Sequence, residues 1–116
     1  DAVAFRQYEA ALHSRVPDDY VQFLQETNGG EGFVGNAYVI LWRFEELLEM
    51  NKAYQVSEYA PGLFLFGSDG GGEAFAFDTR SDSKPIVTVP FVGMELKSAR
   101  PVAPNFRAFL EELFKS

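Results

Sequence analysis

Leu63-Phe64-Leu65-Phe66-Gly67-Ser68-Asp69-Gly70-Gly71-Gly72-Glu73-Ala74-Phe75-Ala76-Phe77-Asp78 is the stretch on which the fold turns. Leu63–Phe66 and Ala74–Phe77 are short apolar runs bounded by turn residues, the pattern of strands that bury their side chains. The connection from Gly67 to Gly72 holds four glycines. A chain needs so many residues able to take positive φ only where it doubles back. The stretch reads as an antiparallel hairpin.

Toward the C-terminus, Asp78–Lys84 is a polar turn leading to a third strand, Ile86–Val89, edged by Pro85 and Pro90. Phe91–Val102 reads as a further strand with a loop. Pro104 and Asn105 then open a last helix with Phe106, Phe109, Leu110 and Leu113 on its apolar face. Toward the N-terminus, Gln55–Gly62 reads as a polar connection. Phe44, Leu47, Leu48, Asn51 and Tyr54 recur at helical spacing, with Glu45, Glu49 and Lys52 opposite. Ala37–Trp42 is a strand and Gly32–Asn36 a loop. Pro17 suits a helix start, Asp18 and Asp19 suit the positive end of its dipole, and Asn28-Gly29-Gly30 stops it. Ala2–His13 has the spacing of an earlier helix. Helices at both ends of an antiparallel β-meander make an α+β fold, with Phe23, Leu24, Phe66, Phe77, Ile86, Phe106 and Leu110 expected to be mutually buried.

The 116 residues fit a single domain spanning 1–116, and a chain that is 47% hydrophobic with 12 Phe can fill one core with rings. There is no cysteine, so disulfides and thiolate metal sites are excluded, which fits a reducing cytoplasm. The chain begins at Asp1 without a leader pattern and reads as a trimmed piece, so a lost leader stays open. No apolar run is long enough for a membrane-spanning helix. Net charge is −7, concentrated in the first half: residues 1–58 carry ten acidic and four basic side chains. That imbalance argues against nucleic acid as ligand, because phosphate binding runs on Lys and Arg. It permits a basic partner, or serves only solubility.

Catalytic and cofactor patterns fail one by one. The glycine loop lacks the Lys of a phosphate-binding loop and lies between two strands, so it reads as a turn. Asp69, Glu73 and Asp78 do not follow the ligand order of a calcium loop. His13 is the only histidine, which rules out a triad of histidine ligands for a metal. Ser68 stands outside a nucleophile elbow. The expectation is no catalytic residue, no cofactor and no metal. Trp42 and Tyr59 read either as partner anchors or, for Trp42, as core. Glu31, Glu45, Glu46, Glu49 and Glu58 form a candidate acidic patch whose alternative is a solvated face, and Asp69 joins the candidates from the hairpin loop.

The order of signals carries a resemblance. Val16-Pro17-Asp18-Asp19-Tyr20, Phe23-Leu24 and Asn28-Gly29-Gly30 resemble the opening of the Smi/Knr-type proteins of the SUKH superfamily. Leu65–Glu73 with Phe75, Phe77 and Asp78 resembles that family's central hairpin, and Pro85-Ile86-Val87 with Asn105-Phe106 and Phe109-Leu110 its last strand and helix. The match runs from about Val16 to Leu113, with Val16 where the family usually has Leu. It implies a non-enzymatic, protein-binding immunity protein that neutralises a toxin, many such toxins being nucleases, by occluding it. Fungal relatives imply an alternative, a regulatory interaction module in cell-wall or signalling pathways. The family's recurring glycines fall on Gly67, Gly71 and Gly72, and its turn residue on Asp69; the resemblance brings no catalytic residue. An acidic inhibitor of a basic toxin would be steered to it by charge.

Overall fold

The computed structural model describes residues 17–34 and 37–113. The anticipated hairpin is present, and it sits at the centre of a longer meander. Strands β1 (Gly30–Val34), β2 (Ala37–Leu41), β3 (Leu63–Ser68), β4 (Glu73–Asp78), β5 (Ile86–Pro90) and β6 (Arg100–Ala103) form one sheet in sequence order. Every neighbour is antiparallel. Helix α1 (Asp18–Thr27) precedes the sheet, α2 (Phe44–Ala53) and the short α3 (Val56–Tyr59) lie between β2 and β3, and α4 (Phe106–Leu113) closes it.

Three connections carry more structure than their composition suggests. Gly30–Val34 is a strand and not a loop, because it pairs along its length with β2, from Gly30↔Leu41 to Val34↔Ala37. Two glycines hide such a strand from propensity, and the partner strand supplies the order. Gln55–Gly62 contains α3, which begins after a left-handed Gln55 and buries Val56 and Ala60 one helical turn apart. Phe91–Val102 holds a 3₁₀ turn, Leu96–Ser98, before β6. The expected helix Ala2–His13, the His13 side chain and the Leu113 side chain lie outside what the structure describes.

β3 is buried at all six positions, so both faces of the sheet are covered there. On one face, Phe64 and Phe77 pair across the strands, and Phe66 stacks on Phe77 at 4.5 Å. α1 and α4 close this face: the Tyr20 ring lies edge-on at 5.0 Å from Phe77 and 5.1 Å from Phe106, and Phe109 meets Phe66 at 5.6 Å. Such edge-to-face pairs add about 0.5–1.5 kcal/mol each to the burial of the rings. Leu63 and Leu65 point to the other face, where α2 and α3 pack on β3 and bury Leu47, Val56 and Ala60. Of the anticipated core set, Leu24, Phe66, Phe77, Ile86 and Phe106 are buried. Phe23 and Leu110 are half-buried at its margin, Phe23 touching the Phe106 ring at 5.6 Å.

Asn28 joins the two helical layers. It takes the left-handed conformation that ends α1, its N–H donating to the Leu24 carbonyl at 2.9 Å. Its side-chain oxygen accepts the Phe44 N–H at 2.9 Å, and its amide donates to Glu45. The residue that stops one helix therefore satisfies an orphan donor at the start of the next.

Candidate functional site

The hairpin loop is occupied with its own construction. Asp69 Oδ1 accepts the N–H groups of Gly71 at 2.8 Å and Glu73 at 3.2 Å, and Ser68 Oγ accepts that of Gly70. Asp69, one of the sequence candidates, thus spends its carboxylate on the turn. Gly67 packs against the Ile40 carbonyl so closely that a Cβ would collide with backbone. Gly70 has φ +80° and sits under the Tyr38 ring. Gly71 and Gly72 have neither demand on them: their φ is ordinary and at most a long contact with Asp69 lies nearby. At the other end of β4, Asp78 grips Arg80 with both oxygens, at 2.9 and 2.8 Å. The bond from Arg80 holds the Asp78 carboxyl below the usual range against a smaller opposing effect of burial, and the pair raises Arg80. Among the described residues no three His, Cys, Asp or Glu side chains gather as metal ligands.

The acidic candidates divide into two kinds. Glu46 accepts the Arg43 backbone N–H at 3.0 Å, so it caps α2. Arg43 also lies 3.4 Å from Glu46 and 3.9 Å from Glu45. Glu45 is the acceptor for Asn28. Glu31, on β1, accepts the Tyr38 hydroxyl, a bond that raises the phenol's pKa. Glu49 on α2 and Glu58 on α3 are exposed, and among the described residues no cation comes within ion-pair distance of either. Lys52 shares their side of α2 and is exposed too. The sequence grouped these five as one patch. The structure brings Glu45, Glu46 and Glu49 onto one helix but gives Glu46 a structural duty. A Glu at the third helical position, as Glu46 is in α2, is the carboxylate half of a capping box and a signal that could have revealed it.

The aromatic candidates separate as well. Trp42 is buried, with the Phe91 ring 6.4 Å away, so it belongs to the core and is unavailable as an exposed anchor. The N–H that follows β2 on Trp42 donates to the Phe66 carbonyl, which holds the residue against the sheet. Tyr59 is 54% exposed beside Glu58, and Leu48 is 44% exposed between Glu45 and Glu49. Leu48 has the spacing of the apolar stripe of α2 but lies at its margin and faces solvent. The surface of α2 and α3 thus offers an aliphatic and an aromatic side chain among free carboxylates.

Asn51, which the sequence places in the apolar stripe of α2, also positions this surface. Asn51 accepts the Leu65 N–H at 2.9 Å and donates to the Leu65 carbonyl at 3.0 Å. It also donates to the Leu47 carbonyl one turn back at 2.8 Å. β2 pairs with β3 only at Ile40↔Ser68 and Leu41↔Gly67, followed by the Trp42–Phe66 bond. Where β2 ends, the Asn51 amide takes the place of a peptide group beside β3 and fixes α2 against the sheet. Asn within an otherwise apolar helical stripe was the signal.

No curated protein matches the chain. Among the described residues no helix is long and apolar enough to cross a membrane. The family pattern described as SMI1 / KNR4 family (SUKH-1) matches residues 1–112, nearly the whole chain, and agrees with the antiparallel sheet between terminal helices: the chain belongs to the SMI1 / KNR4 family (SUKH-1).

Proposed function

We propose that this domain is a non-enzymatic, cytoplasmic immunity-type protein that binds a basic toxin and blocks it by occlusion. The observation that carries the reading is the exposed face of α2 and α3. There, among the described residues, Glu49 and Glu58 have no cation within ion-pair distance, and Leu48 and Tyr59 are exposed next to them in sequence. An apolar anchor ringed by charge is the composition of a transient protein interface. Family membership supports protein binding as the kind of activity. The net charge of −7 supports a basic partner, with carboxylates occupying the positions that phosphates take on a nuclease.

The test uses the toxin domain encoded beside this gene and a chain carrying Glu49→Lys and Glu58→Lys. These two positions are chosen because Glu46 is a helix cap and Glu45 is bonded to Asn28, so reversing either would disturb folding. Stopped-flow association at two ionic strengths should be slower for the reversed chain than for wild type. Wild-type association should itself slow with salt, while dissociation changes little. Equal association rates for both chains, indifferent to salt, would remove this face from the binding surface.

A further inference from the structure

Among the described residues the sheet has two edges, β1 and β6, and they differ in what guards them. β6 contains Pro101, which cannot donate to a further strand, and exposes the cation of Arg100; its register with β5 is also irregular. Proline, charge and irregularity are the devices by which edge strands resist addition of another strand. β1 carries no proline and keeps a regular register, its one charge is Glu31, and among the described residues it pairs on one side only, with β2.

The direction of the free groups follows from β2. The Ile40 carbonyl points at Gly67 of β3, and the Trp42 N–H donates to Phe66 of β3. Ile40 therefore turns its backbone groups away from β1, and its partner there, Glu31, makes a non-hydrogen-bonded pair. By the same alternation Phe33, opposite Tyr38, is another such pair. The N–H and C=O groups of Glu31 and Phe33 face outward, two donors and two acceptors at the spacing of a strand ladder.

Gly32 lies between them. Its φ is ordinary and a Cβ there would meet nothing within 4 Å among the described residues, so none of them requires glycine at this position. Glycine inside a strand weakens it, and where the fold gives no reason for it, close approach of another backbone does. We infer that the outer edge of β1 is a strand-addition site that takes an extended, basic segment of a partner protein. A second copy of this chain is disfavoured as occupant by the like charge of two chains at −7. A cation opposite exposed Glu31 gains a cross-strand pair, whereas an acidic strand would be repelled. The inference shares with the proposed function only the sign of the partner's charge.

The probe is the peptide acetyl-Lys-Val-Lys-Val-Lys-Val-amide, titrated into the full chain at millimolar concentration and followed through backbone amide resonances. The expected result is saturable shifts centred on Glu31–Val34, with slowed hydrogen exchange at Glu31 and Phe33. Glu31→Pro removes an outward donor without touching the β2 ladder, and should weaken binding at least about fivefold. Glu31→Thr keeps the outward N–H while removing the charge and the bond from the Tyr38 hydroxyl, and should keep part of the binding while losing much of its salt dependence. Shifts absent from β1, or Glu31→Pro binding as well as wild type, would overturn the inference. So would Glu31→Thr losing as much as Glu31→Pro, since charge would then carry the binding without the edge. Should Glu31→Pro disturb the fold, a peptide N-methylated on the residues facing β1 removes the same bonds from the ligand side. The peptide reports on the edge alone, so a failure of the α2–α3 face to steer a toxin leaves this result unaffected.

Discussion

Asn51→Ala isolates the bond that fastens α2 to the sheet. Leu65 is completely buried, and its N–H and C=O both depend on the Asn51 amide, at 2.9 and 3.0 Å. Alanine leaves both groups without a partner in a place with no exposed surface, at about 1–3 kcal/mol for each. The Leu47 carbonyl also loses a bond, but it sits in a helix where the backbone offers another. Alanine returns up to about 0.7 kcal/mol through its better helix propensity. The net loss should be about 2–4 kcal/mol, large for a residue that is itself partly exposed. Urea unfolding followed by Trp42 fluorescence measures it, and the slope should not change, since the surface exposed on unfolding is nearly the same. Asn51→Asp refines the test. An aspartate still accepts from Leu65 but presents its charge to two carbonyl oxygens, at Leu65 and Leu47. That environment raises its folded pKa, so its deficit should shrink as pH falls through that value and the carboxyl becomes a donor. A loss under about 0.5 kcal/mol for Asn51→Ala, the size of an ordinary surface change, would refute the account of Asn51 as a substitute strand.

Phe77→Ala should cost about 3–5 kcal/mol by the same assay, since the ring is fully buried against Tyr20, Phe66 and Phe106. Gly67→Ala should destabilise strongly, because its Cβ meets backbone of β2, while Gly72→Ala should change stability by under about 0.5 kcal/mol; equal effects in thermal melts would contradict the close approach at Gly67. The Asp78 carboxyl is depressed in the folded state, so its pairing with Arg80 stabilises above the ordinary aspartate pKa of about 3.9 and is lost as pH falls through the lower folded value. Asp78→Asn should therefore be less stable than wild type at neutral pH and lose less stability on acidification, read from unfolding curves across that range. Gly32→Val should leave stability unchanged or raise it by up to about 1 kcal/mol, as a better strand former in open space.

How much of this was legible in the sequence depended on whether one segment could declare its own state. Leu63–Asp78 could, because two apolar runs and four glycines admit little besides a hairpin, and its strands run only two residues and one residue past the expected ends. α1 could as well, between Pro17 and Asn28. β1 could not: its order comes from a ladder with β2, and glycines at 30 and 32 argue locally for a loop. α3 was hidden because its four residues are polar around Val56, whose burial depends on the packing of α2 and β3. At the candidate surface, helical spacing correctly put Glu45 and Glu49 outside. It could not separate them from Glu46, whose duty is a bond to the Arg43 backbone, nor tell that Trp42 turns inward after β2.

A surface that discriminates among partners has to be made of positions the fold does not need, and the polar residues here sort on that criterion. Asn28, Arg43, Glu46, Asn51, Asp69 and Asp78 each hold backbone or another side chain in place, so exchanging them alters the scaffold before it alters recognition. Leu48, Glu49, Glu58 and Tyr59 are exposed, and among the described residues neither Glu49 nor Glu58 has an ion pair to give up. The two groups interleave along α2, where Glu46 and Glu49 are neighbours one turn apart with opposite duties. Under the proposed function, exposed carboxylates at Glu49 and Glu58 would act over a Debye length of about 8–10 Å and set how fast a basic partner arrives. They contribute little to how long it stays, because an exposed ion pair is worth about 0–1 kcal/mol. On the same reading, residence would come from Leu48 and Tyr59, or from the proposed strand ladder on β1, whose bonds would be shielded from water once formed. Charge reversal at Glu49 and Glu58 should therefore move association, and truncation of Tyr59 dissociation. That division of rates separates a binding face from a merely solvated one.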